Sequence, residues 1–168
     1  MRILLALLLW LTPAVAQEKA PAAASTAVRL QGAVNMPATF SMAQLAGLPS
    51  TSVTLSIEGH GDASGVWKGV PLLALIQQAG LSGQGSGLEH VIIARGTDNY
   101  SVAIAMGEID PRFEGKSVIV AYQKDGQPVS SLRLIVPGEL KRSLGDITAR
   151  RLESAAEAFD LKSVIVSA

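Results

Sequence analysis

The chain has no cysteine. That excludes disulfides, thiolate metal ligands, thiol nucleophiles and iron–sulfur clusters in one stroke. A fold built from it must be held by its core alone. Aromatic residues are also scarce, at 4% of 168 residues, too few for a base-stacking platform. No excess of charge exists either: 14 Lys and Arg face 14 Asp and Glu, with no basic run. Together these exclude a nucleic-acid-binding surface of the usual kind. Phosphate-cradling glycine motifs of the P-loop or dinucleotide type are absent as well.

Long apolar runs are confined to the beginning. Arg2, the apolar stretch Ile3 to Leu11 and the small-x-small triplet Ala14-Val15-Ala16 form a secretory signal peptide with cleavage expected before Gln17. The run is too short to span a bilayer comfortably, which favours a cleaved leader over the competing reading of an uncleaved N-terminal anchor, and no membrane span is expected after cleavage. Loss of Met1 to Ala16 removes one arginine and leaves 13 basic against 14 acidic residues. Residues 17–27, Ala- and Pro-rich and aperiodic, read as a flexible tether. Residues 28–168, rich in apolar side chains, suit a single domain with a sizeable core.

Periodicity sets the elements. Val28 to Val34 alternates as a strand, Asn35-Met36-Pro37 turns, and Ser41 caps a short helix with Met42, Leu45 and Ala46 inward, closed by Gly47 and Pro49. Ser52 to Ile57 alternates as a second strand. A loop from Glu58 then feeds a helix with Pro71 in its first turn, where a missing N–H costs nothing. Leu72, Leu75, Ile76 and Ala79 form its apolar face, and Gly80 ends it. Such a loop leaves backbone donors free at a helix N-terminus, where an anion can be held. Further strands are expected at His90–Arg95, Tyr100–Ile104, Val118–Tyr122 and Leu132–Val136. The non-alternating apolar run at Val118 implies a strand covered on both faces. Lys124-Asp125-Gly126-Gln127 predicts a type I′ hairpin. One helical turn is expected over Gly107–Asp110, a helix spanning Leu144 to Phe159, and a last strand at Ser163–Val166. About seven strands and three helices with tight turns make an α+β fold.

Few side chains offer chemistry. His60 is either a metal ligand or, as we favour, a hydrogen-bonding group for loop backbone or ligand. Asp98 and Tyr100 either satisfy and pack a turn or line a cleft opposite His60. Lys141 and Arg142 either reach an anion or decorate a surface. Trp67 anchors its loop by burying its ring. Glu108, Asp110 and Glu114 read as a solvated acidic turn. No catalytic residue and no metal site can be assembled.

The ordered set Trp67-Lys68-Gly69-Val70-Pro71-Leu72, Ala79-Gly80-Leu81, Gly96-Thr97-Asp98-Asn99-Tyr100, Ala121-Tyr122, Asp125-Gly126-Gln127-Pro128 and Leu132-Arg133-Leu134-Ile135-Val136-Pro137-Gly138 resembles the molybdopterin-binding domain of sulfite-oxidase-type oxidoreductases, in a short stand-alone secreted form. The resemblance covers most of Val28 to Arg142. It implies a mixed β-sheet with short helices, periplasmic export, and a pterin-phosphate cleft near the loop before the Gly-Val-Pro-Leu helix. Arg95, Lys116, Lys141 and Arg142 are then the phosphate partners, and His60, Asp98 and Tyr100 further cofactor contacts. Full enzymes of the family bind molybdenum through a cysteine in that loop. Here the loop is Gly59-His60-Gly61-Asp62-Ala63-Ser64-Gly65. The expectation is a periplasmic or secreted module that binds a pterin or small anionic ligand, or an envelope protein partner, without redox turnover. The alternatives are a molybdopterin-dependent oxidoreductase with a non-thiolate ligand, and an accessory protein of envelope signalling or electron transfer that offers a strand edge.

Overall fold

The computed structural model describes residues 23–56, 64–83, 87–97, 100–137 and 162–167. Nine strands and three short helices lie among them: β1 (Ala27–Gly32), β2 (Ala38–Ser41), α1 (Met42–Ala46), β3 (Thr51–Leu55), β4 (Gly65–Pro71), α2 (Leu72–Ala79), β5 (His90–Arg95), β6 (Ser101–Ala105), α3 (Met106–Ile109), β7 (Ile119–Lys124), β8 (Gln127–Ile135) and β9 (Lys162–Ser167). They form a five-stranded sheet ordered β2-β1-β9-β5-β6 and a four-stranded sheet ordered β3-β4-β7-β8. The second sheet is wholly antiparallel. The first is mixed, because β9 runs parallel to β5 and antiparallel to β1. The α+β class with mixed sheet and short helices is therefore present. No helix among the described residues is long and apolar enough to cross a membrane.

Both sheets and all three helices share one core. Val28, Leu30, Ile92, Ala94, Ile104 and Val166 come from the first sheet, and Val70, Val120 and Leu132 from the second. The α2 face expected from periodicity, Leu72, Leu75, Ile76 and Ala79, is fully buried among them. Five-residue α1 is too short to stand alone. It is fixed by Leu45 in the core and by a reciprocal box, Ser41 N–H donating to Gln44 Oε1 at 2.8 Å and Gln44 N–H to Ser41 Oγ at 3.3 Å. Ala46, expected inward, is exposed. With Leu45 as the only buried residue of this single turn, the position one step on faces water.

β7 explains its unbroken apolar run. Val120 faces the shared core, while Ile119 and Ala121 face a second cluster with Val53, Trp67 and Ile135 on the opposite side of the same sheet. The type I′ turn is also there: Asp125 and Gly126 have φ of 48° and 79°.

The central stretch departs from expectation. Residues Gly65–Pro71 form a strand, paired to β3 on one side and β7 on the other. A loop needs free backbone groups, and these are consumed by two ladders. Pro71 ends the strand as the cap of α2 instead of opening its first turn, and Leu72 N–H donates to the Val118 carbonyl at 2.9 Å. β2 was likewise unforeseen. The C-terminal strand is present at Lys162–Ser167, while the helix expected between Leu144 and Phe159 lies outside the described residues.

Of the stretch 17–27, residues 23–27 are described, and they are bound to both sheets. Thr97 Oγ1 donates to the Ala23 carbonyl at 2.7 Å, Ser25 N–H to Ser131 Oγ at 2.9 Å, and Leu132 N–H to the Ser25 carbonyl at 2.8 Å.

Candidate functional site

None of the nine strands contains an aspartate or glutamate, yet they carry Arg29, Lys68, Arg95, Lys124, Arg133 and Lys162. Carboxylates are poor strand formers, and those among the described residues sit in turns and in or beside α3. Among the described residues, Glu108, Asp110 and Glu114 are paired with Lys116 or Arg112 close by in the chain.

The turn between β5 and β6 holds two of the expected site residues. Arg95 ends β5 opposite Ser101. Gly96 N–H donates to the Tyr100 carbonyl at 2.8 Å, which closes the turn and sets the Tyr100 ring at its edge, 44% exposed. Arg95 is also exposed. His60, Asp98, Lys141 and Arg142 lie outside the described residues. Arg95 and Tyr100 are thus brought together.

Lys116, the remaining expected phosphate partner, is committed elsewhere. Its Nζ lies 3.2 Å from Glu108 Oε2 and 3.0 Å from Glu114 Oε2. The acidic turn is more than solvated surface. Glu108 accepts from Ala105 N–H at 3.0 Å and so caps α3. Asp110 takes the Arg112 guanidinium at 2.7 to 3.1 Å through both carboxylate oxygens, and Arg112 N–H at 2.9 Å. These contacts, the Arg112 side chain first, hold the Asp110 carboxyl below the usual carboxylate range.

His90 is a structural histidine. It is 2% exposed, with Nδ1 at 3.1 Å from the Gly87 carbonyl and Nε2 at 3.1 Å from the Ser82 carbonyl. Trp67, read as an anchor, is 2% exposed and serves as one. What periodicity missed is its company: Lys124 Nζ stands 5.4 Å and Arg133 Cζ 5.8 Å from its ring.

The described residues thus form an α+β protein of two sheets whose strands carry no carboxylate, with an arginine and a tyrosine flanking one sheet-end turn. The chain belongs to the oxidoreductase molybdopterin-binding domain family, whose model matches residues 15–141. That match ends before β9, although β9 lies at the centre of the five-stranded sheet. No curated protein matches the chain.

The donor set does not fit the metal half of that cofactor. High-valent molybdenum held by dithiolene sulfur calls for a soft thiolate from the protein, and the chain has none. Among the described residues no group of three or more His, Asp or Glu side chains is placed to hold a metal ion.

Proposed function

We propose that the protein is an exported, periplasmic or secreted module that keeps the molybdopterin-binding fold to hold an anionic ligand or a protein partner, without redox turnover. One observation carries the reading: a family whose enzymes anchor their metal through cysteine is represented here by a chain with none. Arg95 and Tyr100, at one sheet-end turn, are suited to such a ligand. A guanidinium pairs with phosphate in a two-pronged fashion, and an exposed phenol ring offers a face to a planar heterocycle. His60, Asp98, Lys141 and Arg142 are the further contacts of this reading.

The test is made on protein purified from its native envelope fraction. After denaturation and oxidation, any bound pterin is released as a fluorescent product that chromatography quantifies. Cell fractionation with signal-sequence mapping accompanies it. The reading expects a chain beginning at Gln17 outside the cytoplasm, with a retained small ligand or one co-purifying partner. A cytoplasmic chain with intact residues 1–16 would refute export.

A further inference from the structure

Among the described residues β2 and β6 end the first sheet, and β3 and β8 end the second. Three of these edges are short or shielded. β2 has four residues, β6 is buried at Ser101, Ala103 and Ile104, and on β8 the Leu132 N–H donates to the Ser25 carbonyl at 2.8 Å. β3 differs. Its sequence, Thr51-Ser52-Val53-Thr54-Leu55, has no charge and no proline, and its register with β4 runs without a bulge. Charge, proline and bulges are the devices that stop an edge from accepting another strand. The direction of its spare backbone groups follows from β4. Val66 N–H donates to Asp125 Oδ1 at 2.8 Å, and the Val66 carbonyl accepts from Asp125 N–H at 2.8 Å, so Val66 turns its backbone groups towards β7. Thr54, paired with Val66, therefore turns its own N–H and carbonyl away from β4, and Ser52, two residues away, does the same.

One face of this edge is open. Ser52 and Thr54 are exposed, and so are Lys68 and Val66, which stand beside them on β4. Val53, on the other face, is buried with Trp67. Lys68 makes no ion pair among the described residues, and β3, β4, β7 and β8 contain no carboxylate to give it one. The geometry points to a docking site at the β3 edge for an extended segment of another protein, added antiparallel, with a carboxylate across from Ser52 and an apolar side chain across from Thr54. It names the partner and the surface for the partner-holding half of the proposed function, and rests on that reading. The outward backbone groups of Ser52 and Thr54 supply the ladder. Lys68 lies two strand spacings from the added strand, about 10 Å between backbones, and small Ser52 leaves it room to reach across to a carboxylate. Val66, 45% exposed, gains apolar company over Thr54. A second copy of this chain meets these demands less well. A two-fold axis at Val53 would set Ser52 against Thr54 and bring no carboxylate to Lys68.

The experiment is an amide-resolved NMR titration of the chain beginning at Gln17 with the capped peptide acetyl-Thr-Val-Thr-Glu-Thr-amide. Antiparallel pairing places its valine across from Thr54 and its glutamate across from Ser52. Shifts are expected in β3 and β4, centred on Ser52 and Thr54. A peptide with glutamine in place of glutamate should bind about two- to fivefold more weakly, and that difference should disappear in Lys68→Gln. N-methylation of the peptide valine, whose N–H donates to the Thr54 carbonyl, should abolish binding. Thr54→Pro, which removes an outward N–H and no bond to β4, should do so too. Absence of shifts, shifts outside β3 and β4, or unaltered binding of the N-methyl peptide overturns the docking site. Equal binding of the glutamate and glutamine peptides overturns the acidic partner. A concentration-dependent dimer that shifts β3 amides without peptide assigns the edge to a second copy and overturns that partner as well. Turnover with molybdenum in a protein that still binds the peptide would refute the proposed function and leave the edge. A co-purifying partner that binds folded Thr54→Pro unchanged does the reverse.

Discussion

Gly69 of β4 lies so close to Ala121 of β7 that an added β-carbon would stand 2.6 Å from the Ala121 Cα, and nearer still to the Val120 carbonyl oxygen. The register between these strands shifts at Lys68/Gly69, so the backbones meet where a side chain would separate them. Gly69→Ala should destabilise the fold by about 1–3 kcal/mol or more, as overpacking against backbone does. Denaturant unfolding gives the value. Wild-type stability would mean the two strands can part without cost.

The last strand closes the first sheet. β9 bridges β1 and β5, so deletion of residues 162–168 leaves both without their inner partner. The truncated chain should lose cooperative thermal unfolding and expose Leu30 and Ile92, which are completely buried in the intact protein. Retention of a sharp transition in calorimetry would show that the sheet does not depend on β9.

Trp67 is the sole tryptophan in a chain that begins at Gln17. Its burial predicts blue-shifted fluorescence that moves red on unfolding. Trp67→Ala should cost about 3–5 kcal/mol, as loss of a large buried ring does. Trp67→Phe should cost less, because it keeps the apolar contacts with Val53 and Ile135 and weakens those with Lys124 and Arg133.

Much of the architecture was readable before any coordinates. Local rules were sufficient where one local interaction decides: the α2 apolar face, the Ser41 cap, the Asp125-Gly126 turn, and the doubly covered run at Val118. They were insufficient where partners are distant in sequence. Gly65–Pro71 carries three marks of a turn or helix opening, two glycines and a proline, yet forms a strand because β3 and β7 flank it on both sides. The candidate site was legible in part. Arg95 and Tyr100 share one turn and could be paired from sequence. Lys116 is removed from the site by ion pairs with Glu108 and Glu114 that form only in the folded turn after α3.

Asp110 supplies a pH test. Its carboxyl is held below the ordinary value of 3.8, chiefly by hydrogen bonds from Arg112. A group with a depressed folded pKa stabilises the protein above its unfolded value and ceases to do so as pH falls through the folded one. Wild type should therefore be more stable than Asp110→Asn at neutral pH, and the difference should begin to shrink as pH falls towards 3.8 and be lost only as it passes through the lower folded value. A gap that persists unchanged in acid would mean the carboxylate charge is not its source. Arg112 is largely exposed, so the gap should be small and should shrink with salt.

His90 holds the Ser82 and Gly87 carbonyls from inside the fold. His90→Leu removes both ring contacts; the Gly87 carbonyl keeps the His90 backbone N–H, so the loss is that of one ring hydrogen bond, about 1 kcal/mol. Amide exchange should accelerate in β5 and in the residues around Ser82. Unchanged protection there would show that the ring is only filling space.

The most direct measurement is the molybdenum content of natively purified protein, taken together with its oxidoreductase turnover in a dye-coupled assay. Because no thiolate is available, substoichiometric metal and no turnover are predicted. One molybdenum per chain with sustained turnover would contradict the account.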